Sequence, residues 1–228
     1  MNYSHILSGK FLARPNRFIA QVEINGQLEV CHVKNTGRCQ ELLLPGAIVY
    51  VEESSNPNRK TRFSLVAVQK GNRLINMDSQ APNLVFAEWV QSGHFLPGLS
   101  LLRREVSYRS SRFDFYCETA AGEKAFVEVK GVTLEKNGVA LFPDAPTLRG
   151  VKHVEELCSC VQDGFSAYLF FVVQMSGVCY FTPNTATHPE FTAILCKAQH
   201  SGVHLRALDC AVSPDSLVLQ NPVPIHLP

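Results

Sequence analysis

The sequence predicts a protein of the α+β or α/β class, in which a small antiparallel β-barrel precedes an α/β domain with a mixed central sheet. Short alternating segments separated by turn residues fill positions 10–80. Near 79–83 the pattern changes to an apolar segment of helical length, after which strand-like and helix-like segments follow one another. We therefore place the domain boundary so that the first domain spans residues 1–81 and the second spans residues 82–228.

Tight turns organise the first domain. Residues 18–24 alternate between apolar and polar side chains, and Asn25-Gly26 is a strong hairpin signal that leads into a second strand at 27–33. Further strand-like runs occupy 47–51 and 63–68. Several short strands in a segment of this size favour a barrel of the OB type.

The second domain begins with a helical segment and continues with a three-strand meander. We expect its elements to be a helix at 84–93, strands at 105–108, 112–117 and 125–133, a helix from about Pro146 to Val161, a buried strand at 167–173, a sheet extension at 180–181, a helix at 189–199 and a strand at 203–208. The proline-rich segment after Ala211 is expected to be loosely ordered.

The charge of the chain is nearly balanced, with a net charge of +1, which argues against a polycation that coats nucleic acid. Residues 1–80 carry ten Lys or Arg against six Asp or Glu, a net +4, and residues 81–228 carry eleven against fourteen, a net −3. This asymmetry is either chance or the sign of a basic part that holds a polyanion and an acidic part that holds cations.

No segment of the sequence resembles a membrane span or a secretory signal. The longest apolar run, 167–173, is too short to cross a bilayer, and the first residues lack a basic segment followed by a long apolar one. We therefore expect a cytoplasmic protein that does not contact membranes. Its eight cysteines are expected to be reduced thiols, and the lack of a C-x-x-C pair argues against a zinc finger.

The third strand of the meander carries the residues best suited to chemistry. Glu128 and Lys130 share a face of that strand because alternate residues point the same way, and Asp114 lies on the neighbouring strand. Two carboxylates and an ammonium then meet, which suits phosphodiester hydrolysis with Mg²⁺ or Mn²⁺ held by the carboxylates. The alternative is a structural ion pair on a partly exposed sheet face.

Positive charge surrounds these residues in the sequence. An arginine cluster that includes Arg104 and Arg112 precedes Asp114, and Arg149 and His153 lie four residues apart on one helix face. We predict that these four side chains contact a phosphate backbone, although His153 could instead be a structural histidine. Asp144 is either a site residue or the N-cap of that helix.

The barrel has its own candidate surface for nucleic acid. Arg14, Arg17, Arg38, Arg59 and Lys60 could line one face of it. Phe18 and Phe63 could stack on bases from that face, or they could belong to the core. Asn35-Thr36-Gly37-Arg38 is expected to form a turn that closes on the second domain, with Gly37 in a positive-φ conformation.

Several blocks in this chain occur in the order seen in the sugar fermentation stimulation protein A (SfsA) family, and the resemblance covers nearly the whole chain. The blocks are Asn35-Thr36-Gly37-Arg38, Leu44-Pro45-Gly46, Arg59-Lys60-Thr61, Ser111-Arg112-Phe113-Asp114-Phe115, Val127-Glu128-Val129-Lys130-Gly131-Val132-Thr133-Leu134, Phe142-Pro143-Asp144-Ala145 and Arg149-Gly150-x-Lys152-His153. The central blocks are specific in combination, although each is weak alone.

The resemblance implies a bacterial or archaeal DNA-binding protein with an N-terminal OB-like domain and a C-terminal PD-(D/E)xK nuclease-like domain. Asp114, Glu128 and Lys130 match the D…ExK positions of such nucleases. Glu88 falls where many of them keep another acidic residue, so it is a third candidate metal ligand, or otherwise a solvated carboxylate.

Two functions follow as alternatives. The first is a DNA-binding protein that contacts the backbone without reading sequence and is linked to the regulation of sugar (maltose) metabolism. The second is a nuclease dependent on Mg²⁺ or Mn²⁺. The sequence leaves open whether the nuclease-like site is active, which polymer is bound and what the oligomeric state is.

Overall fold

A computed structural model of the chain describes residues 1–35 and 37–228. The first domain is a β-barrel. Its strands are β1 (Ile6–Asn16), β2 (Ile19–Ile24), β3 (Gln27–Val33), β4 (Ile48–Glu53), β5 (Phe63–Lys70) and β6 (Arg73–Asn76). They lie in the order β3-β2-β1-β4-β5-β6, and a parallel pairing of β3 with β5 closes the first five strands into a barrel.

The hairpin between β2 and β3 forms as the sequence predicts. Asn25 and Gly26 both adopt positive φ, the conformation that a two-residue hairpin turn requires. The sequence pattern does not predict β1, because Phe11 alone among its residues is fully buried and its apolar and polar side chains do not alternate. The strand is held by its partners β2 and β4 rather than by its own pattern.

The second domain is built around a six-stranded mixed sheet. Its elements are α1 (Ala81–Gln91), β7 (Leu99–Tyr108), β8 (Ser111–Thr119), β9 (Lys124–Val132), β10 (Leu134–Lys136), β11 (Val139–Phe142), α2 (Leu148–Gln162), β12 (Ser166–Val173), β13 (Tyr180–Pro183), α3 (Pro189–His200), β14 (His204–Ser213) and β15 (Ser216–Pro222). The sheet order is β15-β14-β12-β9-β8-β7, with parallel pairings between β9, β12 and β14.

Apolar side chains cover both faces of this sheet. Val85 and Phe86 of α1 pack on one face against Phe115 and Phe170. On the other face Leu157 of α2 belongs to a core that also contains apolar residues of α3 and of the barrel. Burial on both faces explains why β12 is a continuous apolar run.

Three expectations for the second domain are wrong in detail. Residues 180–181 do not extend the main sheet, because β13 pairs with β11 in a separate sheet of order β10-β11-β13. The segment after Ala211 is not loosely ordered, since β15 pairs with β14 and buries Leu217. The helix α2 begins at Leu148 rather than at Pro146, because Thr147 is its N-cap and accepts a hydrogen bond from the Gly150 amide at 3.0 Å.

The turn after β3 joins the two domains, as expected from its sequence. The backbone amide of Arg38 donates to Asp144 Oδ2 at 3.0 Å, so Asp144 links the domains and is not the helix N-cap. A side chain at Gly37 would collide with Asp144 Oδ2, so the glycine permits close approach, and its expected positive φ depends on Thr36 and is not described. Thr36 lies outside the described residues.

No helix in residues 1–35 and 37–228 is long and apolar enough to cross a membrane. All eight cysteines belong to the described part of the chain and all are free thiols, as expected. Six of them are buried, which matches their role as small apolar side chains.

A second link between the domains is an ion cluster around Glu135, which is 5% exposed. Lys70 Nζ contacts Glu135 Oε2 at 2.7 Å, and both Arg73 NH1 (3.1 Å) and the Gly138 amide (2.5 Å) contact Oε1. Burial alone would raise the pKa of the Glu135 carboxyl, but Lys70, the Gly138 amide and Arg73 together lower it.

We predict that Glu135→Gln lowers the free energy of unfolding by about 2 kcal/mol at neutral pH, because two cations lose their partner. Since the folded protein lowers this pKa, the stabilisation is complete above the ordinary carboxyl pKa and is lost as the pH falls through the folded value. Denaturant unfolding of both proteins at pH 7 and near pH 3 measures the difference. The matched control is Glu53→Gln at the exposed Arg62–Glu53 pair, which should cost under about 1 kcal/mol.

Candidate functional site

Asp114 lies on β8 at the point where that strand separates from β9. The antiparallel ladder between the two strands runs as far as Phe115 opposite Val127. Beyond it, the Asp114 carboxylate replaces a backbone acceptor, and its Oδ2 accepts from the Val129 amide at 2.8 Å. Phe113 packs into the core under α2, whereas Phe115 packs into the core under α1. Residues two apart in a regular strand share a face, so β8 is irregular at Asp114.

Glu128 is the most deeply buried charged group at this place, with 2% of its surface exposed. Its Oε1 accepts hydrogen bonds from Lys130 Nζ and from His153 Nδ1, each at 2.5 Å. Its Oε2 is buried and has no hydrogen-bond partner among the described residues. The strand β9 therefore places Glu128 and Lys130 together, as the alternation of side chains predicts.

A second layer of polar contacts holds Glu128 from α2. Arg149 Nε donates to His153 Nε2 at 3.3 Å, so the proton of the imidazole lies on Nδ1, which donates to Glu128. The pair is four residues apart and shares a helix face, as expected. His153 is only 4% exposed, so it belongs to the acidic centre rather than to a surface that meets a phosphate backbone.

The two carboxylates differ in their pKa values. Burial and the nearby charge of Glu128 raise the pKa of Asp114, although the Val129 amide, Asn83 and Lys130 oppose this. Burial would also raise the pKa of Glu128, but Lys130 and His153 outweigh it and the net shift is downward. The site therefore favours the ionised form of Glu128 and disfavours the ionised form of Asp114.

The carboxylates of Asp114 and Glu128 fit a hard divalent cation. Carboxylate oxygen is the ligand type that Mg²⁺ and similar ions prefer, and such ions take only one or two protein carboxylates together with water. The observation that supports the fit is Oε2 of Glu128, which no described residue pairs with, because a buried carboxylate oxygen without a partner costs free energy. Within residues 1–35 and 37–228 no cluster of three or more His, Cys, Asp or Glu side chains supplies a complete set of ligands.

Glu88, expected as a third acidic ligand, makes its contact elsewhere and not with Asp114 or Glu128. Its side chain is 57% exposed and its Oε2 contacts the N-terminal ammonium of Met1 at 2.6 Å. The side chain of α1 that does reach the pair is Asn83, whose Nδ2 donates to Asp114 Oδ1 at 2.8 Å. No sequence spacing relates Asn83 to Asp114, so only the packing of α1 on the sheet reveals it.

The predicted basic surface divides into exposed and structural side chains. The exposed ones are Arg17, Arg38, Lys60, Arg104, Arg112 and Arg149. Of these, Arg104 lies over the ring of Phe115 at 5.7 Å, and Arg112 is 3.7 Å from Glu105.

Two of the basic residues predicted to bind nucleic acid instead make hydrogen bonds within the protein. The Arg14 guanidinium donates to four backbone carbonyls of the turns that follow β1 and β3, at 2.7 to 2.9 Å, and so fixes the turn that joins the domains. Arg59 donates to Ser64 Oγ at 2.7 Å. Phe63 is buried in the barrel core, whereas Phe18 is 47% exposed beneath Arg17, so only Phe18 is accessible for stacking.

Two family models match this chain. The SfsA N-terminal OB domain covers residues 12–77, and the sugar fermentation stimulation protein RE domain covers residues 80–216. Together with the closed barrel and the mixed sheet, these matches confirm the expected fold class.

Curated relatives match over the full length. A sugar fermentation stimulation protein homolog of Ruminiclostridium cellulolyticum is 53% identical over 227 residues, covering 100% of both chains. One of Desulfitobacterium hafniense is 57% identical over 217 residues, covering 95% of this chain and 94% of the relative. Among solved structures, Pyrococcus furiosus SfsA in complex with Ca²⁺ is 28% identical, with a TM-score of 0.90 and coverage of 99% and 98%.

We predict that a divalent cation raises the melting temperature of this protein, because it binds the folded carboxylate pair and not the unfolded chain. At a hundred times its dissociation constant the gain is about 2.7 kcal/mol, or roughly 5 to 10 °C for a chain of this size. Thermal unfolding in Mg²⁺, Mn²⁺, Ca²⁺ or EDTA measures it. Glu128→Gln should remove the shift and Glu88→Gln should preserve it; loss in the Glu88 variant would restore that residue as a ligand.

Proposed function

Because this chain belongs to the sugar fermentation stimulation protein family, we propose that it binds the sugar-phosphate backbone of DNA and hydrolyses phosphodiester bonds at Asp114, Glu128 and Lys130 with a divalent cation. The observation that carries this proposal is the buried Glu128 carboxylate, which lies beside a second carboxylate and has one oxygen without a hydrogen-bond partner in the part of the chain that the structure describes. A purely structural ion pair would not need the second carboxylate, whose charge works against the first.

Mg²⁺ or Mn²⁺ is the cation that we propose for this chain. When bound, such a cation lowers the pKa of a water molecule and offsets negative charge on the phosphoryl oxygens. The complex of Pyrococcus furiosus SfsA with Ca²⁺ supports an oxygen-ligand cation in this family.

The protein's own groups divide the remaining work. Lys130 keeps an ammonium within hydrogen-bond distance of Glu128, where it can orient an attacking water and stabilise charge that develops in the transition state. His153 and Arg149 are positioning residues, because they fix the orientation of the Glu128 carboxylate through the imidazole.

A second candidate function is DNA binding without cleavage, in the regulation of sugar (maltose) metabolism. The observation that favours it is that Lys130 and His153 together already satisfy Glu128 Oε1, so the carboxylate is partly neutralised by the protein itself. Both candidates use the same exposed cations for the backbone, so they differ only in what happens at the acidic centre.

Cleavage and binding should separate in variants of the centre. We predict that Lys130→Ala and Asp114→Asn each lower the cleavage rate by a factor of about 10² to 10³, because transition-state stabilisation is lost, and that both leave the dissociation constant within about twofold. The assay follows labelled duplex DNA, single-stranded DNA and RNA in Mg²⁺, Mn²⁺ or EDTA, with binding measured in parallel.

The outcome distinguishes the two candidates. Cleavage by the wild-type protein in the presence of Mg²⁺ or Mn²⁺, lost in both variants, supports the nuclease. The nucleic acid that is cut is then its substrate. Binding of the wild-type protein without cleavage in any metal contradicts it and leaves the DNA-binding function. Equal loss of binding and cleavage in Lys130→Ala would make this residue part of the binding surface or of the folded core.

The exposed arginines near the domain junction should set the salt dependence of binding. Arg38→Ala and Arg17→Ala should each weaken binding and reduce the slope of log K against log salt by roughly 0.9, the value for one phosphate contact on duplex DNA. The matched control is Lys197→Ala, an exposed cation on α3. Unchanged affinity and slope in both arginine variants would exclude the junction from the interface.

A further inference from the structure

A cavity of about 170 Å³ lies between the two domains, beside the acidic centre but separate from it. It lies beyond the carboxyl ends of β9 and β12, the place where α/β sheets commonly receive ligands. Gly131, which directly follows Lys130, lines it from the sheet, and Asn35 and Gly37 close it from the barrel. Successive residues of a strand point to opposite faces, so Gly131 faces away from the Lys130 side chain. The start of α1 connects the cavity to the centre, since Pro82 lies beside Gly131 and Asn83 contacts Asp114.

The described walls of the cavity combine an apolar surface with a hydrogen-bond acceptor. Phe142, Leu134 and Leu141 supply the apolar part. Gln174, only 1% exposed, uses both hydrogens of its amide, which donate to Asn76 Oδ1 at 2.9 Å and to the Asp78 carbonyl at 3.0 Å. Its Oε1 is therefore the amide atom left to accept from a ligand.

Gly131 keeps that acceptor accessible. A Cβ at this position would lie 2.5 Å from Gln174 Oε1 and 2.7 Å from Pro82 Cγ. The backbone of Gly131 does not have a positive φ, so the glycine is required by space and not by conformation. The second acceptor on the wall is the Asp144 carboxylate, whose Oδ2 already holds the Arg38 amide.

We propose that this cavity binds an unpaired nucleobase with an exocyclic amino group, from the strand whose phosphate lies at the acidic centre. A cavity of about 150 Å³ accepts a single aromatic ring, so the volume suits a base. The apolar wall with the Phe142 ring suits its faces, and the acceptors of Gln174 and Asp144 suit an amino group. This inference rests on the proposed function, because it takes the base from a bound strand.

The test compares single-stranded oligonucleotides that differ only at one central position, which is cytosine, thymine or abasic. Binding is measured in Ca²⁺. The wild-type protein should bind the cytosine strand at least fivefold more tightly than the abasic and thymine strands. Leu141→Trp, which fills the cavity, should bind all three equally and at the abasic affinity, whereas the control Val218→Trp on the exposed face of β15 should behave as wild type.

Each other outcome overturns the proposal in a recognisable way. Equal affinity of the wild-type protein for all three strands excludes base binding but leaves the proposed function intact. Equal affinity for cytosine and thymine excludes the amino group. Saturable binding of free dCMP without any base dependence in the strands makes the ligand a free nucleotide. Failure to bind any strand contradicts the proposed function itself. The melting temperature of Leu141→Trp and its shift in Ca²⁺ confirm that the variant is folded.

Discussion

Glu128 carries a negative charge into the interior of the second domain, where a charge costs free energy unless partners satisfy it. Those partners come from two elements, Lys130 from the same strand and His153 from the helix that packs on it. Satisfying one carboxylate therefore links α2 to the sheet and orients the imidazole of His153. The second oxygen of Glu128, which has no partner among residues 1–35 and 37–228, is the atom available to a cation.

At the domain junction, too, buried or partly buried polar groups are satisfied by partners from other elements. Arg14 gathers the carbonyls of the turns after β1 and β3, and the Arg38 amide then binds Asp144 of the second domain. Farther along the interface, Glu135 collects two cations from the barrel. Polar groups that would be costly alone satisfy one another across the boundary, so the barrel is held in one orientation beside the acidic centre.

Local pattern was sufficient for most of this fold and for the centre of the site. Alternation predicted that Glu128 and Lys130 share a face, and helical spacing predicted that Arg149 and His153 meet. Local pattern does not predict contacts that depend on how the elements pack. Asn83, for example, reaches Asp114 because α1 packs on the sheet. The same holds for β1 and β15, which are ordered by the strands beside them rather than by their own periodicity.

The two domains differ in how early along the chain their strands are complete, because the edge strand β15 of the second domain lies far after the barrel strands. Every barrel strand precedes residue 77, so the barrel can close while the rest of the chain is still being made. In contrast β9 lies between β8 and β12, and one of its edges stays open until the crossover through α2 is complete. Because Leu217 and Leu219 belong to the core under α1, that core is complete only once β15 has been made and paired with β14, whereas the barrel strands need no residue beyond Asn76.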